Sequence, residues 1–313
     1  QTCALPIYRG IDTVAPEFTP FTGSKVPLAA YGLPGTKKLK AGVAAALAGS
    51  DAKAVLMAHH GALCFGSGSE AAFETASKLE DLCLAHILGR FNSLYAKSET
   101  DIDAAAAEIA AVELERTVPN GDRGKIRQAP TGCLSHRQGN AMVFIPGGEP
   151  AHTLAIDLSG APDPAQFPYS PEALLHAAVY RAYPQIGHII HSPAASVVAV
   201  STLSREMKPQ VDDFAQIAGT SARCAKLDPE QLAESAAQCV RALKGRNVLL
   251  LAGEGALCCS GTLRDAEAVE MITQKNALAA LTALLFGCVK PISALESKLM
   301  RLIYLKKYSK QAG

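Results

Sequence analysis

Five apolar residues in a row, Ala54 to Ala58, run straight into His59-His60-Gly61, and that junction governs how residues 52–88 can fold. A run this short, stopped by a turn signal, predicts a strand buried on both faces. Ser67-Gly68-Ser69-Glu70 then has the S-x-x-E spacing of a capping box, which gives partners to two orphan N–H groups at a helix start. Beyond it Ala72, Phe73, Ala76, Leu79, Cys83 and Ile87 recur every three or four residues, so the helix has one apolar face. The two histidines therefore sit at the mouth of a strand, where α/β sheets commonly present ligands.

The same signals return, in the same order, at residues 246–284. Laying AHHGALC (58–64) on AGEGALC (252–258) puts His60 on Glu254, 194 residues later. Thr262-Leu263-Arg264-Asp265 repeats the capping signal, and residues 230–244 stand where the first copy has its 37–49 helix. The shared A-x-x-G-A-L-C points to an internal duplication. Length supports it, since 313 residues allow about two domains.

Between the copies, residues 98–118 read as a helix and residues 119–132, with PNGDRG and APTG, as a loop. Residues 141–145 and 153–158 read as strands. Residues 171–183 read as a helix with proline near its start and Glu172 in its first turn. Residues 209–224 show poor periodicity and read as a loop, and the lysine-bearing tail, 290–313, as a solvated helix end.

Composition narrows the partners. A net charge of +1, with no basic patch interleaved with aromatics, argues against nucleic acid. No apolar stretch approaches the ~20 residues of a membrane span. Nine cysteines, odd in number and without C-x-x-C spacing, argue for reduced buried thiols and a cytoplasmic setting. The opening QTCALPI resembles the translation of a sequencing adapter, so residues 1–7 are expected to be a scar.

Residues 26–36 (VPLAAYGLPGT), the helix after them, the strand and its H-H-G end resemble, as a series over residues 14–97, the C-terminal half of a class II aldolase/adducin domain. Residues 170–184 (SPEALLHAAVYRAYP) are similar to the family's S-S-E-x-x-x-H-x-x-x-Y-x-x-x-P helix, and Ile189-Ile190-His191-Ser192-Pro193 to its V-V-H-x-H strand end. The resemblance implies an α/β fold of three layers, helices flanking a largely antiparallel central sheet. It divides the chain into the C-terminal half of a first domain, residues 8–97, and a second, degenerate domain, residues 98–313. It also implies reversible, zinc-dependent aldol cleavage of a sugar phosphate of the L-fuculose 1-phosphate or ribulose phosphate type, in a homo-oligomer.

Carried over by position, His60 and His191 are implied metal ligands, Glu172 the proton-shuttling carboxylate, and Ser170 a phosphate contact. A zinc with neutral imidazole ligands and an open position is a Lewis acid for a ketose carbonyl and hydroxyl. Pro193 and Glu254 stand where the second copy needs its other two histidines, so that copy is expected to be a pseudo-domain. The first copy's remaining ligands would fall just before Gln1, so the chain is expected to be a fragment of a parent with a complete site. The competing reading is a non-catalytic, oligomerising or regulatory protein like the adducin head.

Overall fold

The computed structural model describes residues 10–13, 16–117, 132–148, 152–160, 170–287 and 290–307. Residues 1–7, most of the 119–132 loop and the end of the tail lie outside them.

Strand β1 (Ile11–Asp12) is followed by a single turn of helix, α1 (Thr19–Thr22), and by β2 (Lys25–Val26), its antiparallel partner. Then come β3 (Leu28–Ala29), α2 (Lys37–Leu47), β4 (Ala54–Met57), β5 (Gly61–Cys64), and the helices α3 (Ser69–Tyr95) and α4 (Ile102–Thr117). The second part continues with β6 (Cys133–Gln138), β7 (Ala141–Ile145), β8 (Leu154–Asp157), α5 (Pro171–Ala182), β9 (His188–Ser192) and α6 (Ala195–Thr202). It ends with β10 (Arg223–Ala225), α7 (Leu232–Leu243), β11 (Val248–Leu251), β12 (Gly255–Ser260), α8 (Leu263–Phe286) and α9 (Ala294–Lys307).

A seven-stranded sheet runs β10-β11-β12-β9-β6-β7-β8, and only the β10–β11 pair is parallel. Alternate residues feed two cores. Val248, Leu250, Ala256 and Cys258 face a core shared with α6 and α8. Leu249, Leu251, Leu257 and Cys259 face one shared with α5 and α7. Period-two alternation in two continuous apolar runs thus produces the three layers. No described helix is long and apolar enough to cross a membrane.

The separate sheet β3-β4-β5 reproduces the β10-β11-β12 end of the large one, with β3–β4 parallel and β4–β5 antiparallel. The repeated turn is the same turn. The His60 N–H donates to the Met57 carbonyl at 2.9 Å, and the Glu254 N–H to the Leu251 carbonyl at 2.9 Å. The residue before each has positive φ, 75° at Gly253 and 65° at His59. His59 thus holds a left-handed conformation that disfavours side chains other than Gly, Asn or Asp.

Side-chain caps set three of the helix starts. Thr36, Ser170 and Thr262 each accept a backbone N–H through the side-chain oxygen. The expected Ser67–Glu70 box does not form: α3 begins at Ser69 after an extended Gly68 with no side-chain cap.

The first copy does not stand alone. Leu56, Leu79 and Ile87 share a continuous core with Val197, Val211, Phe214 and Leu281. The segment expected to be a loop, 209–224, carries a π-helical turn over Phe214–Ala218 and is held by α9. Arg301 of α9 donates to the Gln216 and Ile217 carbonyls, each at 2.7 Å, and Met300 is buried beside Ala215. The tail helix is therefore a docked element rather than a solvated end.

Candidate functional site

At the β4–β5 turn, both ring nitrogens of His60 are engaged. Nδ1 lies 2.9 Å from Asp212 Oδ2, and Nε2 lies 2.8 Å from the Gly32 carbonyl. A carbonyl can only accept, so Nε2 carries a proton; a carboxylate accepts from Nδ1 as well. Burial works against the imidazolium, but the Asp212 hydrogen bond and charge, aided by the Gly32 carbonyl, outweigh it and raise the pKa. Both side chains are nearly buried, at 9% and 7% exposure. His59 Nδ1 donates to the Gln210 carbonyl at 2.7 Å, and burial lowers its pKa. Tyr31 stacks on the His60 ring and meets the His59 ring edge-on.

His191 occupies the end of β9. Its Nε2 donates to the Glu254 backbone carbonyl at 2.8 Å, while Nδ1 has no hydrogen-bond partner among the described residues. Burial lowers its pKa, so the ring is neutral with a bare lone pair on Nδ1. Glu172 sits in the first turn of α5, and its charge is felt at His191 and at Cys133. Ser170 caps that helix: its Oγ accepts from the Ala173 N–H at 3.2 Å and lies 3.5 Å from Glu172 Oε2. Ser170, Glu172 and His191 thus share one neighbourhood. The polar contacts of His60 are to Gly32 and Asp212, and none of those three is among them.

Sequence reasoning gives no role to a buried relay beneath this neighbourhood. The geometry aligns the Cys133 thiol on His176 Nε2 (3.7 Å), His176 Nδ1–H on Ser135 Oγ (2.8 Å), and Ser135 on the Tyr180 hydroxyl (3.0 Å). Burial drives the His176 pKa down to about 3 and pushes the Cys133 thiol far up, so the relay is neutral. The H-x-x-x-Y spacing of 176–180 is the available signal, since residues four apart share a helix face.

A family zinc does not fit these residues. Two hydrogen bonds leave His60 without a lone pair, Pro193 has no donor atom, and Glu254 meets His191 through its backbone. The described residues contain no group of three His, Cys, Asp or Glu side chains that could hold a metal ion. A cavity of about 670 Å³ between α4, α6 and α8, lined by Ile109, Glu113, Met207 and Leu284, includes none of the four carried-over residues.

The family model described as Class II Aldolase and Adducin N-terminal domain matches residues 2–87 and 147–281. L-fuculose phosphate aldolase of Escherichia coli strain K12 is 29% identical over 147 residues, 45% of this chain and 68% of that protein. The Shigella flexneri protein of the same name gives the same figures. Among solved structures, an L-fuculose 1-phosphate aldolase is similar at 20% identity and a TM-score of 0.49, covering 66% of this chain and 97% of its own. The L-fuculose-1-phosphate aldolase of Thermus thermophilus is similar at 18% identity and a TM-score of 0.40, covering 59% and 93%.

Proposed function

The chain belongs to the class II aldolase and adducin family, and from that membership we propose an aldolase-like protein whose residues 98–313 form a pseudo-domain. The activity proposed for a protein of this family with a full ligand set is reversible aldol cleavage of a sugar phosphate of the L-fuculose 1-phosphate or ribulose phosphate type. A divalent metal, zinc in this proposal, supplies Lewis-acid polarisation when such a set binds it. The residues of this chain are assigned no step through it.

One observation carries the reading: His191 commits Nε2 to the Glu254 carbonyl, at the turn where the resemblance expects a further ligand. Around that bond the scaffold is intact. Ser170 caps α5, Glu172 stands in its first turn, and the Cys133–His176–Ser135–Tyr180 relay seals the core below. Assay of this chain with L-fuculose 1-phosphate and other ketose 1-phosphates, with and without added zinc, tests it. No cleavage is expected. Zinc-dependent cleavage abolished by Glu172→Gln or His191→Ala would sink the pseudo-domain reading.

A second reading, homo-oligomeric assembly without chemistry, is favoured by α9. Its buried side holds Ser297 and Met300, while Leu295, Leu299, Leu302 and Ile303 form an exposed stripe. Sedimentation of the wild type against Leu299→Lys/Leu302→Lys decides it: assembly lost in the variant supports the reading, and identical masses reject it.

A further inference from the structure

Apolar walls and surplus positive charge meet in the cavity between α4, α6 and α8. Its volume, about 670 Å³, lies in the range that holds a small organic molecule. Ile109, Val200, Met207, Leu281 and Leu284 supply the walls. The charged lining is unequal, with Arg116, Arg205, Lys208 and Lys290 against Glu113 and Glu206. Both carboxylates are already matched. Glu113, buried in the wall, holds Arg116 Nη2 at 2.8 Å on Oε2 and Arg205 Nη1 at 3.0 Å on Oε1. Glu206 accepts from Ser221 Oγ at 2.5 Å and stands 3.8 Å from Arg246, outside the lining. Two guanidiniums on one carboxylate leave positive charge over, and the exposed Lys208 adds to it. Gln210 brings a polar group to the same lining. It is 8% exposed, its backbone is held by Asn276 and His59, and its Oε1 has no hydrogen-bond partner among the described residues. A buried amide oxygen left unpaired is costly, and its terminal torsion is soft enough to turn toward an entering group.

We propose that this cavity is a binding site for an amphipathic organic anion, separate from the Ser170–Glu172–His191 neighbourhood. The apolar body lies against α6 and α8, the acidic head reaches Arg205 and Lys208, and a hydrogen-bonding group meets the Gln210 amide. Burial of the body supplies the affinity. The surplus of cations selects the sign of the head, and low-dielectric walls strengthen that selection. Arg205 suits the head because Glu113 takes only its Nη1, and a guanidinium carries further N–H donors in the same plane. The site binds and makes no bond, so no metal or co-reactant enters the proposal.

The probe is anilinonaphthalene sulfonate, which joins an apolar ring system, an N–H donor and a fixed negative charge. Titrated into the whole chain and followed by calorimetry and fluorescence, it is expected to bind saturably at a single site. Phenylnaphthylamine, the same body without the sulfonate, is expected to bind about tenfold more weakly or worse. Lys208→Glu changes only an exposed side chain and is expected to weaken the sulfonate probe by about tenfold with melting unchanged. Ala280→Phe fills the cavity from α8 and is expected to remove binding. Decanoate and naphthoate, as competitors, distinguish an acyl body from an aryl one, and displacement by either supports the proposal. No saturable binding, equal affinity for the uncharged analogue, unmoved affinity in Lys208→Glu, or failure of both competitors overturns it. So does loss of the probe in Leu299→Lys/Leu302→Lys, which would place it on the exposed stripe of α9.

Discussion

His60 and Asp212 stand 152 residues apart in the chain and meet at 2.9 Å, one from each of the two family-matched segments. The same imidazole reaches back to the Gly32 carbonyl, so the pair ties three separate stretches together. Removing one partner from a buried ion pair strands the other charge. Asp212→Ala is expected to cost about 3 kcal/mol. In a double-mutant cycle with His60→Ala, a coupling of about 1–3 kcal/mol is expected. Urea denaturation of the four proteins measures it, and additivity would show that the two side chains do not act as a clasp.

Metal content follows from the same contacts. After dialysis the purified chain is expected to retain far less than stoichiometric zinc, and His191→Ala to leave that value unchanged. Elemental analysis checks both, and a full equivalent lost on His191→Ala would restore the metal site.

Two histidines bend the pH dependence of stability in opposite directions. His176, held near about 3 by burial against about 6.5 in an unfolded chain, stabilises fully above the unfolded value. That contribution is lost as pH falls from about 6.5 toward about 3. His60, with its pKa raised, stabilises fully below about 6.5, and its contribution fades as pH climbs through the folded value. Melting temperatures across this range should fall on both sides, and His60→Asn should flatten only the alkaline limb.

The repeated turn offers a test of backbone geometry. At Gly253, φ is +75° and a Cβ would meet nothing within 4 Å, so Gly253→Ala should cost about 1 kcal/mol. At Gly255, φ is +102° and a Cβ would run into the Ser192 carbonyl oxygen. Gly255→Ala should therefore cost about 3 kcal/mol or more, through strain and a displaced β9. Equal costs in denaturation would mean that β9 gives way freely.

What is legible in the sequence is the part governed by local period. Two apolar runs, two matching turns and the helix after Ser170 are all specified by neighbours within a few residues. Strand β6 escapes such a reading because CLSHRQ mixes polar and apolar positions. Its Ser135 is buried only because His176 and Tyr180 satisfy the hydroxyl from another element. Helix α6 escapes it because ASVVAVST is rich in β-branched residues, and packing on α4 and α8 overrides that propensity. The motif spacing singles out His60, but its partner is invisible. Asp212 lies in a stretch with no periodicity, and only the tertiary fold brings it to the turn.

The shared core has a consequence in time. Leu56 is covered by a cluster that includes Val211 and Phe214, more than 150 residues further along. At ribosomal speeds of about 5–20 residues per second, β4 leaves the exit tunnel roughly eight to thirty seconds before the residues that shelter it leave it in turn. Throughout that interval the nascent first copy presents an uncovered Ala54–Met57 strand to the cell, so holdase chaperones should bind it there and let go once Phe214 has emerged.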